Sequence, residues 1–202
     1  MIEQGSPEWK ALRLGKLTAS RMADVLATTK TGMSASRKNY LAQLVAERLT
    51  GEIGECFTND AMAWGNDHEP LARAEYEILM DTFVEQVPFV DHPGIDMCGA
   101  SPDGLTGGIG LVEIKCPNTA THIDYLLSKK PPAKYIPQMA LQLACTGRKW
   151  CDFVSYDPRM PEKHRLFVVR YIPDDDYLKK IEHEAGAFLD EVQETINQLE
   201  AA

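Results

Sequence analysis

In the first part of the chain, apolar residues recur at helical spacing. Thr18 and Ser20 precede a short helix over 21–27, and either hydroxyl can cap it. Over 36–49 the residues Tyr40, Leu41, Leu44, Val45 and Leu49 share one face, and Gly51 ends the helix. The stretch 60–80 reads as helical with breaks near Gly65 and Pro70, the proline either opening a second helix or kinking one. After Thr82 the period changes. Strands are expected over 82–90, 95–99, 109–115, 152–156 and 165–172, with helices over 120–128 and 135–146. The chain closes on an amphipathic helix from about Asp174, with Leu178, Ile181, Ala185, Phe188, Val192, Ile196 and Leu199 as its stripe. Asp174, Asp175 and Asp176 sit at its positive end. The pattern predicts an α/β (α+β) fold, a central mixed sheet flanked by helices. No repeat, low-complexity tract or linker divides it, so a single domain over 1–202 is expected.

Composition narrows the class. At 202 residues, with 44% hydrophobic and 25% charged residues, the chain resembles an ordinary soluble globular protein. No run approaches the length of a membrane span, and the first residues lack the basic and apolar regions of a secretory leader. Five cysteines (Cys56, Cys98, Cys116, Cys145 and Cys151) form no C-x-x-C pair, which disfavours a zinc knuckle. Spacing alone leaves an iron–sulfur cluster open, but free thiols in a reducing cytoplasm are the plainer expectation. The net charge of −9 argues at first against a polyanionic partner. Its distribution changes that: between Lys10 and Lys38 seven basic residues face one acid, and between Lys115 and Arg170 ten face four. The acids concentrate in 52–85 and 174–200, so a basic face is compatible with the acidic total.

The strongest chemical signal is Ser101-Pro102-Asp103-Gly104 followed by Glu113-Ile114-Lys115. The glycine-rich stretch between them, 105–110, reads as a tight turn, and 109–114 as a buried β-branched strand. Residues two apart on a strand share a face, so Glu113 and Lys115 project together, and the reversal brings Asp103 beside them. Two carboxylates and an ammonium at the edge of an apolar sheet are costly unless they serve a purpose. A divalent cation supplies one, because hard metals take carboxylate oxygens and backbone carbonyls. Such a site can hold magnesium against a phosphodiester, while the lysine orients or deprotonates water and offsets charge on the phosphoryl oxygens. The plain alternative is a surface salt bridge on an edge strand.

These residues resemble the PD-(D/E)xK nuclease signature. The fuller set resembles lambda exonuclease and the YqaJ-type viral recombination nucleases: WKALRLG at 9–15, LTAS at 17–20, AMAWG at 61–65, SPDGL at 101–105, EIKCP at 113–117 and YDPRM at 156–160. The resemblance implies a restriction-endonuclease-like core and a magnesium-dependent exonuclease with two ions, replaceable by manganese. Its substrate would be double-stranded DNA ends, the 5′-ended strand being degraded to leave a 3′ overhang. It also implies a ring-shaped homotrimer, a phage single-strand annealing protein as partner, and a cytoplasmic setting in a bacterial host of phage or prophage origin. Carried over, Asp103, Glu113 and the Ile114 carbonyl hold metal, Glu69 adds a further acid, Lys115 positions or activates water, and Gln138 helps hold the nucleophile. Arg13, Ser20 and Ser101 correspond to a pocket for the terminal 5′ phosphate, a role for which the planar fork of arginine is suited.

Other residues take plainer readings. Trp9 and Trp64 are expected as core or interface aromatics, Trp9 having the alternative of stacking on a terminal base. His68 is left outside the site, Gln142 shares the face of Gln138 without a role of its own, and 156–159 is a turn after a strand. The alternatives to the exonuclease are a metal-dependent endonuclease with the same site and a non-catalytic DNA-end-binding module. An alkaline rise in rate is expected if a neutral amine or metal hydroxide attacks, and a steep loss of affinity with salt if phosphate contacts dominate.

Overall fold

The computed structural model describes residues 2, 4–30, 32–54 and 60–201; Cys56, Met1 and Glu3 lie outside the described residues. In chain order the elements are α1 (Pro7–Arg13), β1 (Leu17–Thr18), α2 (Met22–Val25), β2 (Thr28–Thr29), β3 (Gly32–Met33), α3 (Ala35–Thr50) and α4 (Asp60–Met80). They continue with β4 (Val84–Glu85), β5 (Val90–Asp91), β6 (Cys98–Ala100), β7 (Gly104–Thr106), β8 (Gly110–Lys115), α5 (Thr119–Ser128), α6 (Ile136–Thr146), β9 (Trp150–Tyr156), β10 (Leu166–Tyr171) and α7 (Asp175–Glu200).

A five-stranded mixed sheet runs in the order β10-β9-β8-β7-β4, and a three-stranded one in the order β1-β6-β5. In the larger sheet β8 and β9 pair in parallel, Glu113 opposite Phe153, and the remaining neighbours are antiparallel. The crossover from β8 to β9 carries α5 and α6. Alternation then sorts the strand residues onto two faces. Val112, Ile114 and Val154 pack with Ala72 and Tyr76 of α4. Leu111, Cys151 and Phe153 pack on the other side with Tyr125 of α5 and Met139 and Leu143 of α6. A third cluster joins Leu17, Tyr40, Leu44, Cys98, Ala140, Leu141 and Phe188, so α6 is apolar toward two cores at once. Gly147, left-handed at φ +67°, caps it.

The long elements fall where their periodicity puts them, and several details differ. The expected 21–27 helix is a 3₁₀ turn (Ala19–Arg21) followed by the four-residue α2, and neither hydroxyl caps it. Thr18 Oγ1 and Ser20 Oγ bond each other instead, at 3.3 Å. Helix α4 passes through Pro70 unbroken; Pro70 and Asn66, whose carbonyl loses its donor, are both exposed, where water can replace it. The 82–90 segment divides into β4 and β5, which join different sheets on either side of the Pro88 position. Not all of 105–110 is turn: Leu105 and Thr106 complete β7, and the reversal is confined to 107–109 with Gly107 at φ +55°. Helix α1 was not anticipated, although Ser6 caps it by accepting from Trp9 N and Pro7 opens it. Leu49 and Leu199, assigned to buried stripes, are exposed at helix ends. No helix among the described residues is long and apolar enough to cross a membrane.

Candidate active site

The β7–β8 hairpin builds the centre of the site. Gly104 and Gly110 flank it, and a side chain at either would collide with Val84 or Trp150, so glycine allows the close packing that fixes the register. Asp103 immediately precedes β7, and its Oδ2 accepts from Ile114 N at 2.6 Å, which ties it to the strand carrying the other two groups. Glu113 is fully buried. Gln138 Nε2 donates to its Oε1 at 2.6 Å and Gln142 Nε2 to its Oε2 at 2.7 Å. The Lys115 ammonium pairs with Glu113 Oε1, lies 3.9 Å from Asp103 Oδ2, and donates to the Ile114 carbonyl at 3.1 Å. The three residues expected to converge do so.

The charges around this centre do not balance. Burial, reinforced by Glu113, pushes the Asp103 carboxyl well above the usual carboxylate range, against the lowering influence of Lys115. Burial works to lower Lys115, but Glu113 and Asp103 outweigh it and hold the side chain firmly as an ammonium. Glu69 reaches the same cleft from α4, ion-paired with Arg73 at 2.5 Å, and burial raises it too. Burial, with Glu69 next, pushes the Cys116 thiol up to about 12, which keeps it protonated and unfit as a nucleophile.

A cleft of about 600 Å³ opens at the end of β8, between the first half of α4 and the turn before α6. Glu69, Ile114, Lys115, Tyr135, Trp64 and Arg159 line it. Among the described residues no group of three or more His, Cys, Asp or Glu side chains is arranged to hold a metal ion. The donors that do converge are two carboxylates and one main-chain carbonyl, with a single ammonium set against them. An oxygen-only set with surplus negative charge suits a hard divalent cation.

The three residues assigned to a phosphate pocket lie on the side of the smaller sheet. Arg13 stacks over Trp9, 4.0 Å from the ring centre. The Trp9 indole N–H donates to Ser101 Oγ at 3.0 Å and to Pro88 O at 2.7 Å. Ser101 in turn donates to Pro88 O at 2.7 Å, two residues before Asp103. Ser20 is exposed beside Thr18, which is paired with Gly99 in the β1–β6 ladder. Trp9 is thus a bracket between Arg13 and Ser101 rather than a free stacking surface.

Three features went unassigned. Gln142 is as close to Glu113 as Gln138 is, and its i, i+4 spacing on α6 was the available signal. Arg159 stacks over Trp64 at 4.4 Å and is tied to the fully buried Asp157, giving the 156–159 turn a place in the cleft wall. His68 stacks on the same Trp64 ring at 3.7 Å and contacts the Trp64 carbonyl at 2.8 Å.

Comparison with known proteins gives a consistent result. Residues 8–149 match the YqaJ-like viral recombinase domain. Among curated proteins none matches. An alkaline exonuclease from Laribacter hongkongensis is 50% identical over 97% of both chains, with a TM-score of 0.90. The same exonuclease crystallised with dAMP superposes at a TM-score of 0.91, again with 50% identity and 97% of each chain covered. A phage-related exonuclease from Haemophilus somnus 129PT, 15% identical over 91% of this chain and 96% of its own, shares the fold at a TM-score of 0.74. With its recombinase-domain match spanning 8–149 and its half-identical relative spanning 97% of both chains, this chain belongs to the YqaJ-like viral recombinase family.

Proposed function

We propose that the chain is a metal-dependent exonuclease that degrades the 5′-ended strand of linear double-stranded DNA, leaving a 3′ overhang for recombination by strand annealing. The observation that carries this reading is the convergence of Asp103, Glu113 and Lys115 at one end of β8, in a chain half identical to an alkaline exonuclease. Asp103, Glu113 and the Ile114 carbonyl would hold magnesium, or manganese in its place, with Glu69 available for a second ion, supplying Lewis-acid stabilisation of phosphoryl oxygens and an acidified water.

The chain's own residues do the positioning. Gln138 and Gln142 each hold one oxygen of Glu113, so the orientation of the carboxylate is fixed. Lys115, set between two carboxylates, orients the attacking water and offsets charge developing on the phosphoryl oxygens. Arg13, Ser20 and Ser101 take the terminal 5′ phosphate; Trp9 links the first and last of these through its ring face and its N–H. A mononucleotide such as dAMP, held in the crystals of the relative, is the kind of product an exonuclease releases. On the family resemblance, the proposal extends to a ring-shaped homotrimer, a phage annealing protein as partner and a bacterial cytoplasmic setting.

The test is digestion of linear duplex bearing 5′-phosphate or 5′-hydroxyl ends, and of a covalently closed circle, with and without magnesium. Loss of the phosphorylated linear duplex alone, only with magnesium and with 3′ tails left, is the expected result. Cleavage of the closed circle would make the enzyme an endonuclease, and DNA binding without cleavage would make it an end-binding module.

A further inference from the structure

Resting on the nuclease reading above, we propose that Arg159, carried on Trp64, binds a phosphate of the substrate strand next to the one being cleaved. Among the described residues lining the cleft only Lys115 and Arg159 are basic, while Asp60 and Glu69 bring negative charge to the same walls. Lys115 is engaged by Glu113 and Asp103. A strand entering the cleft therefore has Arg159 as its remaining cationic contact there.

The geometry of Arg159 suits that task. Its Nε donates to Asp157 Oδ1 at 2.7 Å, and its Nη2 donates to Asp157 Oδ2 at 3.0 Å and to the Pro117 carbonyl at 3.3 Å. Its flat face rests on Trp64, 4.4 Å from the ring centre, and Trp64 is backed by His68. Asp157 is itself fully buried and anchored by Thr119 Oγ1 at 2.6 Å. The guanidinium is thus held by one edge and one face. Among the described residues no acceptor meets Nη1, and 46% of the side chain remains exposed. A planar donor already immobilised loses little entropy when it binds an anion. Neutralising Asp157 alone would require neither the aromatic platform nor the exposed edge.

Position makes the contact specific. Pro117 lies two residues beyond Lys115, so their Cα atoms are at most roughly 7 Å apart. That is the order of separation of neighbouring phosphates on one strand. A strand with its scissile phosphate at Lys115 would bring the next phosphate toward Arg159.

Binding of a fluorescent duplex end in EDTA, measured against salt, tests the proposal together with steady-state digestion in magnesium. Arg159→Lys keeps the charge but loses the fork and the stacking plane. The pair D157N/R159Q removes both charges, so no unpaired carboxylate is left buried if the single variant fails to fold. Both are expected to bind about tenfold more weakly, and D157N/R159Q to lower the salt slope by about one. KM should rise with kcat changed by less than about threefold. A methylphosphonate at the neighbouring link should weaken the wild-type protein by the same factor and leave D157N/R159Q unaffected. Folded variants that bind with wild-type affinity and slope, while the wild-type enzyme digests DNA, overturn this inference alone. A wild-type protein that neither binds nor digests DNA overturns it together with the nuclease reading.

Discussion

The central sheet buries a carboxylate toward each of its faces, and the two sit in very different company. Asp152, on β9 toward α4, meets Arg170 through Nε at 2.8 Å and Nη2 at 2.9 Å, and accepts from the Tyr76 hydroxyl at 2.9 Å. Its charge is cancelled where it stands. Burial, with Asp152 next, raises the Tyr76 phenol, so the donor stays protonated. Glu113, on the neighbouring strand toward α6, meets two amides and shares one ammonium with Asp103, while Glu69 comes near from α4. Burial of a charge is common to both sites. What separates them is the uncancelled surplus at the second, which a structural ion pair has no reason to keep and which a cation and a phosphodiester can use.

Substitutions at the two carboxylates should separate the regions most strongly. Glu113→Gln or Lys115→Ala is expected to cut nuclease activity at least about 10³-fold, with thermal unfolding still cooperative. Asp152→Ala should do the reverse: it leaves the buried Tyr76 hydroxyl without its acceptor and costs about 2 kcal/mol by denaturant unfolding, with near-normal activity per folded molecule. If Asp152→Ala instead abolished activity without loss of stability, the contrast would be wrong. Removing Gln142 probes the support of Glu113. Gln142→Ala should lower activity by about 10–100-fold, the range for groups that orient a metal ligand, with a smaller effect on DNA affinity.

The surplus charge also predicts a gain. Asp103→Asn keeps an oxygen for Ile114 N and removes one of the crowded charges, so in EDTA it should stabilise the fold by about 1 kcal/mol while activity is lost. A destabilised Asp103→Asn would mean that Lys115 already balances the site. The smallest effect concerns acid. Burial raises Asp157, but hydrogen bonds from Arg159 and Thr119 prevail and hold it below the ordinary carboxylate value. Its contribution to stability is therefore complete above an unfolded value of about 3.9, and fades as pH falls through the lower folded value. Unfolding midpoints of wild type and Asp157→Asn should differ at neutral pH and converge in that acid window.

The legible and illegible parts of the sequence divide along the same lines. Asp103, Glu113 and Lys115 could be read because alternation on β8 and a glycine-rich reversal are local facts. Gln142 offered only its i, i+4 spacing from Gln138, because α6 buries Met139, Ala140, Leu141 and Leu143 as well, and a helix apolar on most sides does not reveal which side meets the strand. Arg159 looked like part of an ordinary turn because its partner Trp64 is 95 positions away, and such contacts are set by packing rather than spacing. The continuity of α4 through Pro70 depended on the proline facing water, and the division of 82–90 between β4 and β5 depended on which sheet each half joined. Neither is written in a local pattern. Helix α1 was legible in principle, since Ser6 and Pro7 are a cap and a first-turn residue in sequence.

The central claim is that the Asp103–Glu113 pair with the Ile114 carbonyl forms a divalent-cation site. Anomalous diffraction from crystals soaked in manganese tests it most directly. The account predicts a peak bounded by those three groups, and its loss in Glu113→Gln. A fully occupied manganese elsewhere on the molecule, with none between these carboxylates, would contradict it.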